Sequence, residues 1–261
     1  MERSKLNSLL KRIVTALILV PVTIFCLWAG YPYIQLFALI TGALLAWEWA
    51  RMVPSVRGAF YAVSYTAVMA SAVALGSWTG YWIMLAGGTV LVWFKARGEA
   101  HRNLLVLGVP YISIGIGSLI WLYELAGLSL TLWYVLAVWA VDVGGYVFGC
   151  SIKGPKLAPS VSPNKTWSGL LGGMFLSFAV SSAYLWGLGV PDNSIILFGA
   201  WAAAVAVVAQ IGDLVESAIK RRLNLKDSSD LIPGHGGVFD RVDGLIFAAP
   251  FVFLFVKFML N

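Results

Sequence analysis

The feature that most restricts this chain is a succession of long apolar runs separated by short polar stretches. They fall near 13–29, 33–50, 59–76, 79–94, 104–123, 130–149, 169–188, 194–212 and 244–260. A helix needs about 17–25 residues to cross the hydrocarbon core of a bilayer, and only the fourth run is short by that measure. The apolar residues are continuous and do not alternate with period two, which selects helices over a β-barrel. Hydrophobic residues make up 60% of the chain and charged ones only 11%. A soluble globule could not hide so much apolar surface, and the same fact excludes disorder. The expected fold is therefore an all-α polytopic membrane protein of about nine transmembrane helices. Those spans leave about 80 residues for loops, too few for a separate soluble domain. Any active site must be built from helix ends and short loops.

The net charge of +6 would suit a nucleic-acid partner, but its distribution does not. With the N-terminus in the cytoplasm, Arg3, Lys5, Lys11 and Arg12 lie inside. So do Arg51 and Arg57, then Lys95, Arg97 and Arg102, then Lys153, Lys156 and Lys165, then Lys220, Arg221, Arg222, Lys226 and Arg241. The opposite loops hold almost no basic residues; Lys257, near the C-terminus, is the exception. This is the positive-inside pattern, and it sets the orientation, with contact to anionic lipid heads as a secondary role. No nucleic-acid partner is implied. The basic stretch before the first run has no convincing cleavage site after it, so that run reads as an uncleaved helix. Cys26 and Cys150 are too few for a disulfide framework.

Residues 1–125 form an N-terminal set of helices with few ionisable groups inside the runs, suited to packing, dimer contact or lipid contact. Residues 126–261 form a C-terminal region in which polar groups enter membrane-depth segments, and chemistry is expected there. Asp142 lies inside an apolar helix, where an ionisable residue costs about 2.5–3.5 kcal/mol on insertion scales and usually faces a cavity, a partner or an ion. Gly144, Gly145 and Gly149 behind it permit close approach of another helix or a ligand. Lys153, Lys156 and Lys165 then lie among prolines and hydroxyls, and Ser162-Pro-Asn-Lys165-Thr166 leads into the next helix. That helix start, with Lys165 and Thr166, can hold phosphate; the same residues also fit a plain N-cap and topology anchors.

Asp213, Glu216, Ser217 and Lys220 follow at i, i+3, i+4 and i+7 and share one helix face at the membrane boundary. Glu216 and Lys220 also fit an ordinary i,i+4 ion pair. Pro233-Gly-His235-Gly236-Gly237 must form a tight loop with amides free to approach a ligand. Asp240 and Asp243 open the last helix at i, i+3, a carboxylate spacing that suits Mg²⁺; the helix N-terminus alone also favours either charge. There is no His/Cys spacing for zinc. Carboxylates that hold a metal, set beside cations on one membrane face, are what phosphoryl or nucleotidyl transfer requires.

Ser217-x-x-Lys220-Arg221, then Lys226-Asp227, then Pro233-x-His235-Gly236-Gly237-x-x-Asp240-Arg241-x-Asp243 resembles the signature of the phosphatidate cytidylyltransferases (CDP-diacylglycerol synthases) without departure. Asp142-x-Gly-Gly-Tyr146-x-x-Gly149, Lys156-Leu-Ala-Pro159, Ser162-Pro163-x-Lys165-Thr166-Trp167-x-Gly169 and Gly212-Asp213-x-x-Glu216-Ser217 are similar to that family too. The match covers most of 138–245; the N-terminal half is similar only in being hydrophobic helices. Val141 and Gly145 stand where alanine is expected. The resemblance implies that CTP and phosphatidate give CDP-diacylglycerol and pyrophosphate at the cytoplasmic face of the C-terminal half. It implies Mg²⁺, alone or with a second, monovalent cation, and a helical homodimer; the lack of a large hydrophilic tail suits a bacterial inner membrane. Asp213, Lys220, Asp240 and Asp243 would be catalytic, with Asp213, Asp240, Asp243 and Asp142 on the metal. Lys165, Thr166, Ser217, Lys220, Arg221, Lys226, His235, Gly236, Gly237 and Arg241 would bind substrate phosphates. Two other functions compete: a CTP-dependent polyprenol-type lipid kinase, which would need a base to activate an alcohol, and an anion or metal transporter. Against the transporter, the polar groups crowd one face and there is no inverted repeat.

Overall fold

The computed structural model describes residues 2–232, 234 and 236–260. The elements are α1 (Glu2–Ala29), α2 (Tyr33–Met52), α3 (Gly58–Ala74), α4 (Trp78–Lys95), α5 (Arg102–Ser151), β1 (Lys156–Ala158), β2 (Ser162–Thr166), α6 (Trp167–Gly187), α7 (Asp192–Arg222) and α8 (Phe239–Leu260). Every expected apolar run falls on a helix, with residues 75–76 and 188 just beyond the ends of α3 and α6. Among the described residues, α2, α5, α6, α7 and Phe239–Met259 of α8 are long and apolar enough to cross a membrane. Leu17–Ala29 and Gly58–Ala74 are shorter apolar helices.

The two runs expected at 104–123 and 130–149 share α5, whose 50 residues would extend about 75 Å at the helical rise. That is more than twice the hydrocarbon thickness. The helix is broken at Gly127, with φ 67° and ψ −163°. A Cβ there would meet nothing within 4 Å, so backbone conformation, not crowding, calls for glycine.

The all-helical expectation misses one feature. The lysine- and proline-rich loop folds into an antiparallel hairpin, with Lys156 opposite Thr166 and Ala158 opposite Ser162. Strands this short carry too few residues to show an alternating pattern, and Pro159 and Pro163 read as breakers.

The chain forms two compact units: Met1–Trp121 with Leu223–Val242, and Leu122–Arg222 with Asp243–Asn261. In the first, α2 packs on α1 and α3, and α3 on α4. Its core centres on Trp49, Tyr61, Tyr65 and Tyr81, all almost fully buried. Trp49 Nε1 donates to Leu104 O at 3.0 Å and Tyr65 Oη to Leu105 O at 2.6 Å. These bonds give the polar ends of buried aromatic rings their partners. In the second unit α6 packs along α7. Ser177 Oγ lies 3.0 Å from both Ala137 O and Ala202 O, within reach of α5 and α7. The expected close approach behind Asp142 is present: a Cβ on Gly144 would lie 2.6 Å from Gly172 O of α6.

Candidate metal and phosphate site

The second unit brings together two acids of α7 and one of α8. Asp213, Glu216 and Asp243 each offer a carboxylate oxygen, and these oxygens lie within 4.8 Å of one another. Small residues make this possible. A Cβ on Gly212 would lie 2.5 Å from Phe247 Cβ and 3.2 Å from Asp243 O, and one on Gly244 would lie 3.1 Å from Ala209 O. Without side chains at these two positions, α7 and α8 approach closely enough for their acids to meet.

The charges nearby are specific. Lys165, at the end of β2, pairs with Asp213. Lys220 Nζ lies 2.6 Å from Glu216 Oε2, with side chains only 9% and 1% exposed. Ser217 Oγ donates to Asp213 Oδ1 at 3.3 Å, and Gly244 N to Asp243 Oδ1 at 2.7 Å. Asp142, exposed on α5, is close enough to act electrostatically on Asp243. Three carboxylates against two ammonium groups leave a formal charge of −1 (−3 + 2), and Asp142 adds another negative charge. Two like charges 4.8 Å apart repel by about 3–4 kcal/mol at an effective dielectric constant of 20. An all-oxygen, net-negative donor set at the edge of an apolar helix pair fits a hard cation such as Mg²⁺.

The structure distributes the other expected residues more widely. Thr166 Oγ1 accepts from Gly169 N at 3.1 Å, which makes it the N-cap of α6. Arg221 is exposed, and its Nε donates to Val161 O at 3.4 Å. Lys226 and Arg241 are exposed. His235 and Pro233 lie outside the described residues. Ile232 N donates to Gly236 O at 2.8 Å.

Asp240 belongs to the first unit. Its Oδ2 accepts from Ser228 N at 2.9 Å, Ser228 Oγ at 3.0 Å and Gly237 N at 2.8 Å. The Gly237 amide, which the sequence leaves free to approach a ligand, is thus engaged within the loop. The adjacent amides are engaged too, by a residue the sequence reading passes over. Glu48, fully buried on α2, accepts from Val238 N at 2.9 Å, Phe239 N at 2.7 Å, Ser229 Oγ at 2.5 Å and Ser228 Oγ at 3.3 Å. The available signal was an acid inside the apolar run Trp47-Glu48-Trp49-Ala50, the same signal that drew attention to Asp142. Glu216 was likewise legible, one turn beyond Asp213 on the same face.

A protein-family profile described as the cytidylyltransferase family matches residues 10–259. A phosphatidate cytidylyltransferase of Brucella suis is 34% identical over 264 residues, covering 96% of this chain and 94% of the relative. One of Pseudomonas aeruginosa is 36% identical over 267 residues, covering 92% and 94%. One of Haemophilus influenzae is 42% identical over 137 residues, covering 51% and 48%.

Proposed function

Because the chain belongs to the cytidylyltransferase family, we propose that it converts CTP and phosphatidate to CDP-diacylglycerol and pyrophosphate. The Brucella suis and Pseudomonas aeruginosa relatives, which carry the name of this activity, align with almost the whole chain. The observation that carries the reading is the Asp213–Glu216–Asp243 cluster with its two lysines. In the reaction a phosphatidate phosphate oxygen forms a bond to the α-phosphorus of CTP, and the bond to pyrophosphate breaks. A phosphomonoester has a second pKa of about 6, so the attacking oxygen is already ionised at neutral pH and needs no strong base. The protein's task is to align two anions and offset their charge.

Asp213, Glu216 and Asp243 hold Mg²⁺ in this reading, and Asp142 adds to the negative field. Bound there, the metal neutralises and orients phosphate oxygens around the reacting phosphorus. Lys165 and Lys220 bring positive charge to the same place. Lys165 is the more exposed of the two, at 21%, and is the more easily handed from its acid to a substrate phosphate. Arg221, Lys226 and Arg241, with His235, Gly236 and Ser217, are the residues this reading gives to the triphosphate or the lipid phosphate. Asp240 braces the loop by accepting its amides.

The positive-inside pattern supports nine spans, a cytoplasmic N-terminus and a site on the cytoplasmic face of a bacterial inner membrane. The two halves of α5 count separately in that total. A homodimer is part of the same reading.

The test is product analysis with purified, detergent-solubilised protein, omitting CTP, Mg²⁺ or phosphatidate in turn. CDP-diacylglycerol and pyrophosphate should form only with all three. Removing divalent metal with a chelator should abolish turnover, and added Mg²⁺ should restore it. CDP with a phosphorylated alcohol would instead assign a lipid kinase, and folded protein inert toward every lipid would remove the enzyme reading.

A further inference from the structure

Glu48 is the one acid in α2, where Arg51 near the end is the other charged residue, and its carboxylate is fully buried. Both oxygens are used. Oε1 takes Val238 N and Ser229 Oγ; Oε2 takes Phe239 N and Ser228 Oγ. Val238 N and Phe239 N belong to the start of α8, where amides have no partner within the helix. A carboxylate there also meets the positive end of the helix dipole. Ser229 extends the grip, because its Oγ donates to Glu48 and accepts from Leu231 N at 3.1 Å.

The neighbouring residues are shaped around this contact. A Cβ on Gly237 would lie 2.5 Å from Glu48 Oε1, and one on Gly236 would lie 2.7 Å from Asp240 Oδ2. The consecutive glycines therefore make room for two carboxylates. The residue after Glu48 acts on the same segment. Trp49 packs against Phe239 with ring centroids 5.5 Å apart, and Tyr111 stacks on Phe239 at 5.6 Å. Phe239 is fully buried. One turn later α8 carries Asp243.

We infer that Glu48 is a positioning residue for nucleotidyl transfer: it fixes residues 228–229 and the start of α8, the helix that also carries Asp243. This rests on the cytidylyltransferase reading above. Charge is required as well as size. A glutamine at 48 would turn an NH₂ donor toward a backbone N–H, and two donors cannot pair. An aspartate would keep the charge but fall short by one methylene.

The experiment compares Glu48→Gln, Glu48→Asp and wild type in two measurements. One is kcat and KM per folded molecule for CTP and for phosphatidate. The other is hydrogen exchange in peptides spanning 228–239. Glu48→Gln should lower kcat about 100-fold, the scale of a misplacement of about 1 Å. KM for CTP should change less than about threefold, and exchange at 238 and 239 should accelerate. Glu48→Asp should recover about tenfold of the lost kcat, as expected if charge is restored with imperfect reach. Glu48→Gln with kcat per folded molecule within about twofold of wild type, or unchanged exchange, would overturn the inference. If Glu48→Gln does not fold, Ser229→Ala replaces it, removing one donor while leaving the carboxylate; unchanged kcat and unchanged exchange together would then overturn it. Wild-type protein that makes no CDP-lipid would overturn the reaction, whereas exchange would still decide whether Glu48 holds the segment.

Discussion

The two compact units each contain a group of buried or half-buried carboxylates, and the groups are satisfied by different chemistry. In the first unit Glu48 and Asp240 accept from backbone amides and serine hydroxyls. Those donors are neutral and come from one short stretch of chain, and the result is a braced loop. In the second unit Asp213 and Glu216 take ammonium groups, and Asp243 stands with them within 4.8 Å. Among these five groups the acids outnumber the cations, and the acidic cluster could hold a metal ion. The comparison teaches that an acid in an apolar helix can serve as a brace or as a ligand, and that its donors decide which.

The strongest way to break this distinction is to remove an acid from the second group. Asp213→Ala should lower turnover about 10³-fold, equivalent to about 4 kcal/mol of transition-state stabilisation, with membrane insertion and elution in detergent unchanged. Near-normal turnover would take Asp213 out of the metal site.

Next in size is the buried ion pair. Lys220→Ala leaves Glu216, 1% exposed, without its cation, and losing one partner of a buried pair costs about 3–5 kcal/mol. A thermal melt in detergent should fall clearly, and Mg²⁺ should recover part of the loss by replacing the missing positive charge. A melt insensitive to Mg²⁺ would argue against metal at this cluster.

The smallest effect should come from removing a single neutral donor of the braced loop. Ser228→Ala removes one neutral donor shared between Glu48 and Asp240, and a hydrogen bond of this kind contributes about 1 kcal/mol. Stability should drop by that amount, with turnover within about threefold of wild type. A loss as large as that of Asp213→Ala would erase the difference between the groups.

Much of the fold was legible because its signals are local. A run of apolar residues must pair its backbone internally in lipid, which leaves the helix as its form. Thus each expected run appears as a helix, and Gly127 separates the two that α5 joins. The face formed by Asp213, Glu216, Ser217 and Lys220 follows from helical periodicity alone. The 156–166 hairpin was not legible, because prolines and short strands conceal the pairing register.

What the sequence by itself determined is the class of the protein, its helical segments, its family and the types of side chain its chemistry requires. What only the tertiary structure decided is which acids share a site. Asp240 and Asp243 stand three residues apart and look equivalent in the sequence. Yet Asp240 is occupied by Ser228 and Gly237, while Asp243 joins Asp213 and Glu216. Glu48 meets a segment some 180 residues away. The physical reason is that hydrogen bonds and charges act over a few ångströms of space, and separation along the chain does not record that distance.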